Sequence, residues 1–237
     1  MIRIATVART AAVAVLTGAA AVGLAVGTVQ AAPGTPSPAS SGGILYGDPA
    51  AAAPFWRYQR YDDDCVEMAV ADVVGELTGK QPSEHDIVKL ALSTPSSVHP
   101  GPIYTKPKKH KSGEGTSFDD EPTLLAHYGI HATFTDADTA GKTGIATGME
   151  SLEQLLGSGH AVIVGLNAEM IWNQPVDGQA RADHAVVVTG VDTAKGIVHL
   201  NDSGTPKGSD EQIPMAVFIK AWATSHNSMT VTQETRK

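Results

Sequence analysis

Residues 59–77 read QRYDDDCVEMAVADVVGEL, and they hold the only cysteine of the chain, Cys65. Val66, Ala69, Val70, Val73, Val74 and Leu77 recur at alternating steps of three and one. That spacing lays them on one wide apolar face of a helix. Asp is a favoured N-cap, so Asp64 is placed to cap a helix beginning at Cys65, and Gly79 is placed to end it. A helix start offers unpaired N–H groups and a partial positive charge. Both favour the thiolate, the form in which sulfur is a strong nucleophile. The plainer reading of a lone cysteine is a small buried hydrophobe.

Upstream, Arg3 and Arg9 precede an uncharged Ala/Val/Gly-rich run over residues 11–29, and Val29-Gln30-Ala31 supplies small residues for cleavage. Residues 1–31 are therefore expected to be a signal peptide, cut after Ala31 or Ala32, and the protein to be secreted. The run is about long enough to cross a bilayer, so an N-terminal membrane anchor is the alternative; once the run is cleaved, no membrane span is expected. Residues 32–54, with PSPASSGG at 36–43, are expected to be a flexible linker. One folded domain is expected over residues 55–237. Cleavage leaves 206 residues, the size of one domain with a real core, and moves the formal net charge from −8 to −10. That acidity argues against nucleic acid and anionic lipid as partners. One cysteine cannot staple the chain to itself, and an exported thiol is open to oxidation. Its presence therefore points to chemistry.

Downstream, Ser83 is placed to cap a helix over 84–92. Thr116 or Ser117 does the same for a helix through Leu124, Leu125 and Tyr128, with Gly129 as its stop. The run KPKKHK at 106–111 reads as a solvated loop, with an anion-binding patch as its alternative. A short strand is expected at 131–135, a loop at 136–148 and a short helix at 149–156. The pattern then turns to β: HAVIVGL at 160–166, a long loop at 169–183, and two β-branched runs, 184–191 and 197–201, around a Gly-bearing turn. That pair reads as a hairpin. A helix at 214–222 and a strand at 228–232 complete the chain. Helices in the first half and antiparallel strands in the second indicate an α+β domain.

A thiol nucleophile needs a base. His85 and His127 fall within helices, His99 and His110 in the basic loop, and His226 in a late turn. Of the strand histidines 131, 160, 184 and 199, His184 opens the hairpin at the end of a long loop, a position suited to a cleft. Pairing about residues 193–196 returns Asp202 beside it, so one hairpin can deliver both base and orienting carboxylate. The plainer reading of Asp202 is a turn or cap residue. For the oxyanion of acyl transfer, the Cys65 N–H is one donor. Gln59, the only Gln or Asn between residues 55 and 65, is a second. No HExxH or paired-cysteine spacing occurs, and no metal or cofactor is expected.

The step from Gln59 to the acidic-Cys pair at Asp64-Cys65 resembles the nucleophile motif of the bacteriocin-processing, double-glycine leader cysteine peptidases. HAVVVTGVD from His184 and GIVHLND ending at Asp202 resemble that family's His and Asp segments, in the same order. The resemblance spans residues 55–204. It implies a papain-like cysteine peptidase fold with Cys65 as nucleophile, His184 as base, Asp202 as orienter and Gln59 in the oxyanion hole. Val66 stands where that family usually has Gly, and Ser203 where it often has Pro. No transporter segment follows, so an exported stand-alone relative is expected, acting on a peptide or protein, with cell-wall peptide among the candidates. The alternative is a peptidase-like binding module without turnover. The Asp62-Asp63-Asp64 run motivates it, because negative charge near a thiol disfavours the thiolate.

Overall fold

A computed structural model describes residues 43–108, 113–176 and 178–236. The expected signal peptide, the first part of the linker to residue 42 and part of the basic run lie outside these residues. In chain order the elements are β1 (Leu45–Gly47), α1 (Pro49–Ala52), α2 (Cys65–Thr78), α3 (Glu84–Ser93), α4 (Glu121–Ala126), β2 (Ala132–Thr135), α5 (Ala140–Thr143), α6 (Met149–Gly157) and β3 (His160–Leu166). There follow α7 (Ala168–Ile171), β4 (His184–Asp192), β5 (Ile197–Asn201), β6 (Glu211–Pro214), α8 (Met215–Trp222) and β7 (Met229–Thr235). The strands form one antiparallel sheet in the order β2-β7-β3-β4-β5-β6, with β1 paired to the far end of β4.

The period-two alternation of strands builds two cores. Along β3 and β4, Ala161, Ile163, Ala185 and Val187 face α2, α3 and α4. Val162, Val164, Val186 and Val188 face α6 and α8, where Leu152, Leu156, Phe218 and Trp222 are fully covered. Helices thus close both faces of the sheet. α2 lies between β4 on one side and α3 and α4 on the other. It buries more than an apolar stripe: Glu67 and Asp72, on its polar side, are as enclosed as Val70 and Val73.

The expected hairpin is present with its turn at Gly196, whose φ of +66° suits glycine. Ser83 caps α3 by accepting from the Asp86 N–H at 3.2 Å. Gly79 ends α2 in a left-handed conformation. Four expectations are corrected. First, order begins at β1 and α1, inside the stretch expected to be linker to residue 54. Backbone pairing of Leu45 with Asp192 and the apolar Pro49 and Ala52 hold it down. Second, Asp64 occupies the N-cap position of α2 without capping it through its side chain. The carboxylate is turned inward instead. Third, residues 118–120 form a 3-10 turn ahead of α4, so that helix starts later than expected. Fourth, β6 was not anticipated, because Glu211, Gln212 and Pro214 make a polar edge strand ending in proline.

Candidate active site

Cys65 is the first residue of α2 and unpaired. It is 8% exposed, and it reaches solvent through a cleft of about 880 Å³. His184 is the first residue of β4, and it lines the same cleft. Cys65 and the His184 imidazole face the same cleft, near enough for the thiol to bear on the protonation of the ring. Nε2 of that ring is 2.6 Å from Asp202 Oδ1, which leaves Nδ1 for the sulfur. The antiparallel register, with Val187 opposite Asn201, carries Asp202 back to the start of β4. The structure therefore brings Cys65, His184 and Asp202 together, from segments that are far apart in the sequence.

Asp202 is fully buried and fully engaged. Its Oδ1 also accepts the Gly204 N–H at 2.7 Å, and its Oδ2 accepts the Trp172 Nε1–H at 2.8 Å. Burial alone would raise its pKa, but His184, Trp172 and Gly204 outweigh that and hold it below the usual carboxylate range. For His184 the balance runs the other way. Burial disfavours the charged ring, yet bonds to Asp202 and Cys65 raise its pKa to about 10. Trp172 packs against the ring with centroids 5.3 Å apart. A Cβ at Gly204 would lie 2.7 Å from Trp172 and 3.0 Å from His184 Nε2, so only glycine leaves that wall intact.

Gln59 lines the cleft with Cys65. Ser203 clamps it twice. The Gln59 N–H donates to the Ser203 carbonyl at 3.0 Å, and the Ser203 hydroxyl donates to the Gln59 side-chain oxygen at 2.8 Å. The amide nitrogen donates to the Tyr61 carbonyl at 2.8 Å. Ser203, a departure from the resembled motif, thus ties the loop before Cys65 to the hairpin, through a hydroxyl bond that proline cannot make.

The acidic run is less charged than it reads. Of its three aspartates only Asp62 is exposed. Asp63 accepts the Tyr104 hydroxyl at 2.8 Å. Asp64 is fully buried with both oxygens unpartnered. Burial, then Glu84 and Glu67, raise its pKa to about 8. Glu67, one turn into α2, accepts the Thr116 hydroxyl at 2.6 Å, and burial raises its pKa to about 7. Near neutrality Asp64 holds a proton rather than a charge and Glu67 is part-protonated, which lightens the negative charge at the helix start.

Trp172 and Gly204 as carboxylate donors, and Ser203 as a clamp, were missed as functional residues. Their contacts join loops that only the fold brings together. Among the described residues, no group of three or more histidine, cysteine or carboxylate side chains is placed to hold a metal ion. No described helix is long and apolar enough to cross a membrane.

The Peptidase_C39-like family model matches residues 48–230. An uncharacterized protein of Mycobacterium tuberculosis strain H37Rv is 61% identical over 239 residues, covering 97% of this chain and 98% of that one. A counterpart in Mycobacterium bovis matches equally. Among solved structures, a putative C39-like peptidase from Bacillus anthracis superposes with a TM-score of 0.55 at 19% identity, over 82% of this chain and all of that one. That likeness identifies the α+β architecture as the papain-like fold expected from the sequence.

Proposed function

The chain belongs to the Peptidase_C39-like family, and from that premise we propose that it is an exported cysteine peptidase or amidase acting through a thioester intermediate. The observation that carries this reading is the His184 imidazole, 2.6 Å from the Asp202 carboxylate and sharing one cleft with Cys65 at the start of α2. In this mechanism the Cys65 proton passes to His184, and the sulfur attacks the carbonyl carbon of a peptide bond. The Cys65 N–H and the Gln59 side-chain amide stabilise the oxyanion. His184 gives its proton to the leaving amine as the C–N bond breaks, and an acyl thioester remains on Cys65. Water then attacks the thioester, losing its proton to His184. The acid departs, and the proton returns to the sulfur. Asp202 fixes the ring and balances its charge throughout.

The substrate in this reading is a peptide or protein, cell-wall peptide included, that enters the cleft beside Trp172. Incubation of the mature protein with a mixed peptide library is expected to give cleavage products and an acid-quenched acyl adduct on Cys65. Cys65→Ala should give neither. Products of equal yield from Cys65→Ala would contradict the proposal. Export implies that protein recovered outside the cell begins at Ala32 or Pro33 by intact mass; retention of residues 1–31 would favour the anchored alternative. A second reading, a peptide-binding module without turnover, rests on the Gln59 amide donating to the Tyr61 carbonyl, which occupies one of its N–H groups. Library peptides bound but left whole by the unmodified protein would favour that reading.

A further inference from the structure

The Glu211 carboxyl has no part in the steps above, yet the pairing of β5 with β6 makes it a diagonal neighbour of Asp202. Glu211 opens β6, and its register partner on β5 is Leu200, two residues before Asp202. One of its oxygens, Oε2, is buried without a hydrogen-bond partner. The N–H donors at Asp202 come from His184, Gly204 and Trp172, and none serves Glu211. Two neighbouring carboxyls, one fully buried and the other with an oxygen closed off from water, do not both stay charged cheaply; one takes a proton and donates it to the other. Asp202 has three N–H donors, the His184 imidazole among them, to support its charge, so the proton belongs on Glu211.

We propose that Glu211 is a positioning residue of this site: protonated, it donates a hydrogen bond to Asp202; ionised, it places a second negative charge behind His184. The inference rests on the hydrolase reading of Cys65 and His184. Below the switch, Glu211 competes with the imidazole for the Asp202 charge. Above it, two carboxylates hold the His184 proton more firmly, which favours thiolate formation and slows proton delivery to the leaving amine.

The surroundings set the switch close to neutrality. Burial, then the charge and hydrogen bond of Asp202, push Glu211 up to about 7, against an opposing pull from His184. The other charged groups on the elements packed against β6 are few. On β5, His199 is paired at 2.6 Å with Asp210, the residue before Glu211. On α8, Lys220 is exposed.

The test is nuclear magnetic resonance of the full chain between pH 5 and 9. The Glu211 carboxyl carbon should titrate near 7, and the His184 ring nitrogens should show a step at the same midpoint. In Glu211→Gln, whose amide donates at every pH, the His184 step should vanish while the protein stays folded. A Glu211 titration near 4, read on the unsubstituted chain, would overturn the proposal without need of a variant. So would an unchanged His184 step in Glu211→Gln. Iodoacetamide labelling separates this from the hydrolase reading. No excess reactivity of Cys65 over a model thiol removes the ground for both, whereas excess reactivity with no His184 step defeats only the role of Glu211.

Discussion

Gln59 and Ser203 show how little separates a formed site from an idle one. The Gln59 side chain can serve an oxyanion only while its oxygen is turned toward Ser203, a contact made by one hydroxyl at 2.8 Å. Removing an oxyanion donor costs about 100- to 1,000-fold in kcat in comparable sites. Gln59→Leu is therefore expected to lower kcat by roughly 100-fold, with KM little changed. Ser203→Ala removes one neutral hydrogen bond, a loss of about 0.5–1.5 kcal/mol, and should lower kcat/KM by roughly 3- to 10-fold. Peptide-cleavage kinetics on both variants check this. A Ser203→Ala enzyme indistinguishable from the parent would detach the clamp from catalysis. That Cys65, Gln59, His184 and Asp202 come together was legible in the chain, because helix start, hairpin and spacing are local patterns. The bond from Trp172 to Asp202 was not, because it reaches across the fold.

α2 carries Cys65, the proposed nucleophile, and its burial has a thermodynamic signature. Its apolar rhythm was readable, and so were the β3, β4 and β5 runs, because each repeats its own period. The enclosure of Glu67 and Asp72 was not readable, since a carboxylate on a helix ordinarily faces water. Burial raises Asp64 to about 8, Glu67 to about 7, and Glu121, at the start of α4, to about 8. Their unfolded values lie near 4. Between these limits the folded chain keeps protons that the unfolded chain has released. Stability present below about pH 4 is thus lost as pH rises through 7 to 8. The melting temperature should fall by several degrees from pH 5.5 to 8.5, at about 2–4 °C per kcal/mol for a domain of this size. Glu67→Gln should flatten that slope. Calorimetry over the range checks it, and a melting temperature rising toward pH 8.5 would contradict the burial of these groups.

The molecule as a whole places its helices on both faces of one antiparallel sheet and sets Cys65 and His184 at the rim of a single cleft. The α+β class was legible because helical and strand periods segregate along the chain. The early order at β1 was not, because three residues paired to the end of β4 carry no pattern of their own. Everything functional depends on the sulfur at the tip of α2 being activated by the ring that opens β4. The rate of Cys65 alkylation by dilute iodoacetamide near neutral pH, set against a free model thiol and against His184→Ala, measures that directly. The account predicts labelling faster than the model thiol, with the excess lost in His184→Ala. Equal rates in all three would contradict it.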